Sequence, residues 1–151
     1  MDTMNGVFQG FDIIGSALHA EMQRSEIVAS NLANMHVTRT ADGEPYRRKM
    51  VVFEELLGNQ IRGLDDVDGG SSVPGGVRLS RVNSDYQTEF VATYDPGHEH
   101  ANEEGFVLRS NVDMFRELMD MTVIRRSFEA NLAAMRSYRG MLQSTITNFR
   151  S

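Results

Sequence analysis

From Asn111 to Phe149, apolar residues recur at alternating steps of four and three: Met114, Leu118, Met121, Phe128, Leu132, Met135, Leu142, Ile146 and Phe149. Arg125 and Arg139 are the only polar members of the series. This spacing predicts a long helix with a narrow buried seam. Asn111 is the expected N-cap, with Asp113 and Glu117 in the first turns, where the helix dipole favours carboxylates. A helix of nearly forty residues is about 57 Å long at ~1.5 Å per residue, more than a globule of this size covers. The seam therefore calls for a partner outside the chain.

The same alternation returns between Phe11 and Met35, at Phe11, Ile14, Leu18, Glu21, Ser25, Val28, Leu32 and Met35. A second helix is predicted there, with a frayed beginning around Gly6, Gly10 and Gly15. The two helices stand at opposite ends of the sequence, so they can pair only if the middle folds outwards. In that middle, Asp42-Gly43-Glu44-Pro45 is a turn. Tyr46–Phe53, Val77–Val82, Phe90–Tyr94 and Gly105–Arg109 read as short strands of one small sheet. Residues 58–76, rich in Gly, Ser and Asp, read as a flexible acidic loop. The expected fold is α+β: long N- and C-terminal helices packed as an antiparallel coiled-coil pair, with a small β-rich insertion. The domains are 1–40 with 108–151 as a discontinuous helical core, and 41–107 as the β-rich part.

Charge sharpens this division. The chain of 151 residues carries a net −6. Residues 1–40 hold four acids and two bases, 41–110 thirteen and seven, and 111–151 four and six, so the segments carry −2, −6 and +2. Opposite-sign ends suit helices that pack together, and the acidic middle disfavours nucleic acid as a partner. Cysteine is absent, which excludes disulfides and thiol chemistry. No apolar run is long enough for a membrane span, and the beginning of the chain is not expected to be a cleaved signal peptide.

Several stretches resemble one family in order along nearly the whole chain. They are Phe11-Asp12-Ile13-Ile14-Gly15-Ser16-Ala17-Leu18, Ser30-Asn31-Leu32-Ala33-Asn34, Asp42 to Lys49 with Val51-Val52-Phe53, Tyr94-Asp95-Pro96-Gly97-His98, and Arg126-Ser127-Phe128-Glu129-Ala130-Asn131. Together they resemble the rod proteins of the bacterial flagellar basal body, and among them the proximal-rod FlgC family. Glu99 and Ser110 stand where that family commonly carries proline. The resemblance implies a structural subunit with no enzymatic activity and no cofactor. It implies export from the cytoplasm by the flagellar type III apparatus and helical polymerisation into a periplasmic rod. Its partners would be copies of itself, other rod subunits, the export apparatus and, further out, a membrane-ring protein, with no nucleic acid and no small-molecule substrate.

The residues expected to carry subunit packing are Phe11, Ile14, Leu18, Val28, Asn31, Leu32 and Asn34 in the first helix. In the second they are Leu118, Met121, Arg125, Phe128, Asn131, Leu132, Met135, Leu142 and Ile146. The asparagines Asn31, Asn34 and Asn131 are expected as buried amides that set register. Arg125 and Arg139 must reach water or pair with a carboxylate, for which Glu21 is the candidate. The ten methionines read as adaptable packing residues. Three other functions compete. His98 and His100 with Glu99, Glu103 and Glu104 could hold a metal in the His98–Glu104 loop. The long helix could belong to a self-contained coiled-coil regulator. A different rod or hook subunit is also conceivable, and the stretches Tyr46–Phe53 and Tyr94–His98 argue against it.

Overall fold

The computed structural model describes residues 2–56 and 75–149, with side chains from Phe8 onward. Most of the acidic loop, residues 58–74, lies outside the described residues. In chain order the elements are α1 (Asp2–Asn34), β1 (Lys49–Glu55), β2 (Val77–Ser84), β3 (Val91–Tyr94), β4 (Phe106–Arg109) and α2 (Met114–Phe149). The α+β class and the two terminal helices stand as expected. The four strands make two separate two-stranded sheets, β1–β2 and β3–β4, instead of one.

Two helix starts differ from expectation. The first helix begins well before Phe11 and carries Gly6 and Gly10 inside it. Glycine is a poor helix former, but at Gly10 a Cβ would stand 2.5 Å from Cζ of Tyr138. A close tertiary approach thus outweighs local propensity. The second helix begins at Met114, and its cap is Asp113, whose Oδ1 accepts from the N–H of Phe115 at 2.8 Å. Asn111, the expected cap, is buried and bonded elsewhere.

The chain divides into two compact units. One comprises Met1–Gln23, Phe53–Ser80 and Ile124–Ser151. Within it the Phe11 and Tyr138 rings meet edge to face, centroids 5.0 Å apart, a favoured aromatic geometry. Ser16 Oγ accepts from the Val77 N–H at 3.1 Å and ties the start of β2 to α1. Leu56 exchanges backbone hydrogen bonds with Gly75 and Gly76, both at 2.7 Å. Glu54 pairs with Arg78, and hydrogen bonds from Ser80 and then Arg78 hold the Glu54 carboxyl below its ordinary range. Among its described residues Ala20 and Ile124 are buried and apolar.

The other unit comprises Arg24–Val52 and Arg81–Val123. Here β3 and β4 run antiparallel, Val91 opposite Arg109 and Tyr94 opposite Phe106. The loop between them closes on Asn102, whose Oδ1 accepts from the N–H groups of Glu104 and Phe106. Gly105 sits at φ +82°, a backbone region that L side chains avoid. At the position of an expected proline, Ser110 is buried, and its Oγ accepts from the Val112 N–H at 3.2 Å.

Candidate assembly site

The interior of this second unit is unusually polar. Val28, Pro45, Tyr46 and Val107 are among its buried apolar residues, against Asn31, Arg48, Asp85, Ser110, Asn111 and Glu117 among the buried polar ones. Buried polar groups persist only when their bonding capacity is met, and the geometry shows how. Asn31, fully buried on α1, donates from Nδ2 to the Lys49 carbonyl at 2.9 Å and to Glu117 Oε2 at 3.0 Å. Its Oδ1 accepts from the Lys49 N–H at 2.9 Å and from the Tyr46 hydroxyl at 3.0 Å. Two donors and two acceptor positions are the whole inventory of an amide.

Glu117 continues the network. With no exposed surface, its Oε1 accepts from Nε of Arg48. Arg48 also donates from Nη2 to Asp120 at 3.0 Å, and Asp120 faces Arg24 at 3.5 Å. The Arg48 N–H donates to Asn111 Oδ1 at 2.7 Å, while Asn111 Nδ2 donates to the carbonyls of Asp85 and Thr88. The Asp85 N–H returns to the Arg48 carbonyl at 2.8 Å. The Asp85 carboxyl is held below its ordinary value, first by the Thr88 hydroxyl and then by the Thr88 N–H. The Gln87 N–H and the Arg48 charge add to this, against an opposing effect of burial. Ser25 Oγ meets Met121 Sδ at 3.6 Å and Asn31 meets Glu117, so within this unit α1 and α2 run antiparallel.

Of the residues expected to carry packing, Val28 and Asn31 are buried. Phe11, Ile14, Leu18, Leu32, Asn34, Met121, Asn131, Leu132, Met135 and Leu142 are half-buried. Asn34 bonds within its own helix, Nδ2 donating to the Ser30 carbonyl at 2.8 Å. Leu118, Phe128 and Ile146 are exposed at 47%, 37% and 60%. Arg125 is exposed, and the carboxylate beside it is Glu129, 3.0 Å away and one turn along the same helix, where the sequence pointed to Glu21. Glu117, Ile124 and Tyr138 face inward in place of their sequence neighbours Leu118, Arg125 and Arg139.

Asn31 is the member of the polar hub that the sequence predicts as a buried amide. Asn111 and Glu117 read from the sequence as a cap and a dipole carboxylate, and their place in the hub differs from that. The available signal was that Tyr46 and Arg48 alternate, while Glu117, Asp120 and Ile124 recur at helical spacing. In the histidine loop His98 Nδ1 accepts from the His100 N–H at 3.1 Å, and His100 Nδ1 bonds Thr38 Oγ1 at 3.0 Å. Among the described residues no group of three or more His, Cys, Asp or Glu side chains is placed to hold a metal ion. No described helix is long and apolar enough to cross a membrane.

Comparison with known proteins bears on the whole chain. The family described as flagella basal body rod protein matches residues 11–39, and the flagellar basal body rod FlgEFG protein C-terminal family matches residues 103–148. The flagellar basal-body rod protein FlgC of Bacillus subtilis is 37% identical over 150 residues, covering 92% of this chain and 95% of the relative. Its counterpart in Salmonella typhimurium is 35% identical over 137 residues, covering 91% and 93%. That of Borreliella burgdorferi is 30% identical over 149 residues, covering 93% and 96%.

Proposed function

This chain belongs to the FlgC family of flagellar basal-body rod proteins, and we propose that it is a proximal-rod subunit delivered by the flagellar type III apparatus and polymerised helically through its terminal helices. As a member of that family it is a structural component of the flagellar basal body. In this reading residues 1–40 and 108–151 form the axial core and 41–107 the outer part. The packing positions are those named from the seams, from Phe11 to Asn34 and from Leu118 to Ile146. Copies of itself, other rod subunits, the export apparatus and a membrane-ring neighbour are its partners. The role requires no catalysis, cofactor or nucleic acid.

The observation that supports this reading best is that α2 leaves several of its predicted packing residues exposed in the single chain. Leu118, Phe128 and Ile146, three of the predicted packing positions, are each exposed on a helix of 36 residues. Burying apolar surface is worth roughly 25 cal/mol per Å², so each of these side chains gains by being covered in an assembly. Exposed apolar positions of this kind, repeated in every copy, suit a polymer better than a solitary protein.

The test replaces Leu118, Phe128 and Ile146 together by Ser in a strain whose own copy is deleted. All three are exposed in the single chain, so the purified variant should keep wild-type helicity and unfolding. Its periplasmic level should match wild type while swimming is lost and the protein disappears from isolated basal bodies. Normal swimming by this variant would overturn the assignment of these three positions to subunit packing.

A further inference from the structure

The β3–β4 hairpin carries an open apolar surface. Its register sets Ala92 opposite Leu108 and Tyr94 opposite Phe106, and with side chains alternating along each strand these four share a face. Tyr94 is 66% exposed, Leu108 50% and Phe106 39%. The two rings meet edge to face at 5.3 Å. Tyr94 also lies so close to Gly105 that a Cβ there would stand 2.9 Å from its ring. The aromatic anchors are thus fixed before any partner arrives, which lowers the ordering cost of binding and is typical of an interface hot spot. Beside them opens a cavity of about 380 Å³, whose lining includes Phe106, Leu108 and Pro45 together with Arg39 and Glu99.

In the same compact unit the start of α2 offers a projecting surface. Phe115 is 72% exposed and Met119 64%, one turn apart on one side of the helix. Asp113 and Arg116, both exposed, flank Phe115. Asp113 caps the helix through Oδ1, which leaves Oδ2 for a partner. Within one chain both surfaces stand open.

We propose that these two surfaces meet between copies. The hairpin face and cavity of one copy receive Phe115 and Met119 of a second copy, with Arg116 toward Glu99 and Asp113 toward Arg39. The charges decide in favour of a second copy: the cavity lining carries one cation and one carboxylate, and the helix start presents one of each in return. The patches differ, so the contact is heterologous, and a heterologous contact that does not close by rotation continues as a helix. The inference rests on the rod-subunit reading and adds to it a contact made outside the long seams.

The absence of native cysteine makes disulfide trapping decisive. The double variant L108C/F115C is supplied as the sole copy, and isolated basal bodies are oxidised and run on non-reducing gels. A ladder of covalent dimers and larger species is expected, absent from L108C and F115C alone. Basal bodies that contain the double variant without a ladder, or with a link to a different polypeptide, overturn the contact. A charge exchange decides the matter independently of the cysteines. Each of E99R and R116E alone should shrink swimming haloes by about twofold or more, and the pair should restore them. Failure of the pair to restore swimming overturns the contact as well. Absence of the wild-type chain from basal bodies would sink the rod-subunit reading itself, and the contact with it, and is distinguished by being visible without any substitution.

Discussion

Asn31 grips Lys49 at both of its backbone groups, accepting from the N–H and donating to the carbonyl, each at 2.9 Å. One side chain of α1 thereby stands in for a neighbouring strand at the first residue of β1. Asn31→Leu would leave the Lys49 N–H and carbonyl, the Tyr46 hydroxyl and Glu117 Oε2 without this partner. At about 1–3 kcal/mol for each buried group left unpaired, the loss should exceed that of an ordinary core substitution. Urea unfolding of the purified chain should show a fall of at least ~3 kcal/mol. Asn34→Ala, which removes a bond within one helix, should cost less than about 1 kcal/mol.

Arg48 and Glu117 form a buried pair, 8% and 0% exposed at the side chain. Removing one partner from such a pair costs about 3–5 kcal/mol, because the remaining charge is stranded. Glu117→Ala should therefore destabilise by that order. Arg48→Met combined with Glu117→Leu should recover a large part of the loss, since replacing both ions by apolar groups removes the desolvation penalty too. A double-mutant cycle by urea unfolding at pH 7 measures this. A strictly additive pair of losses would show that the two residues do not act together.

Asp85 supplies the pH dependence that can be assigned. Its folded carboxyl titrates below the ordinary 3.8 because the Thr88 hydroxyl and N–H bond the ionised form. A depressed folded value contributes stability that is present above the unfolded value and is lost as pH falls through the folded one. Thr88→Val should thus cost about 1 kcal/mol at neutral pH. The gap between variant and wild type should narrow as the pH is lowered below 3.8. A gap that stays constant from neutral pH to pH 2.5 or so would assign the effect of Thr88 to packing instead.

Two glycines in the helices should respond in opposite directions. A Cβ at Gly140 would meet nothing within 4 Å, so Gly140→Ala should raise the stability of the free chain by about 1 kcal/mol through helix propensity. Gly10→Ala gains the same propensity but drives a methyl to 2.5 Å from Tyr138 Cζ. The ring must swing away from Phe11, so the net effect should be a loss, with Tm falling. Pairing Gly10→Ala with Tyr138→Ala should make the glycine change favourable again, and Tm comparisons among the four proteins test it.

How much of this was legible in the sequence follows from what each feature depends on. Both helices, all four strands and the Asp42-Gly43 turn were readable from the chain, because periodicity and turn chemistry are properties of neighbouring residues. The family motifs, from Asn31 to Asn131, were equally local. Tertiary structure alone decided which of two adjacent residues faces the chain's own interior. Successive residues on a helix point about 100° apart, and a seam read at steps of four and three fits 118, 125 and 139 as readily as 117, 124 and 138. Glu117, which bonds Asn31, Tyr138, which meets Phe11, and the buried Ile124 face the inside, while Leu118 and Arg125 stay outside. Asn111 moved from the expected cap to the hub for the same kind of reason. Arg48 and Asp85 lie 63 and 26 residues away in sequence, and no local pattern records a hydrogen bond that closes only when distant segments meet.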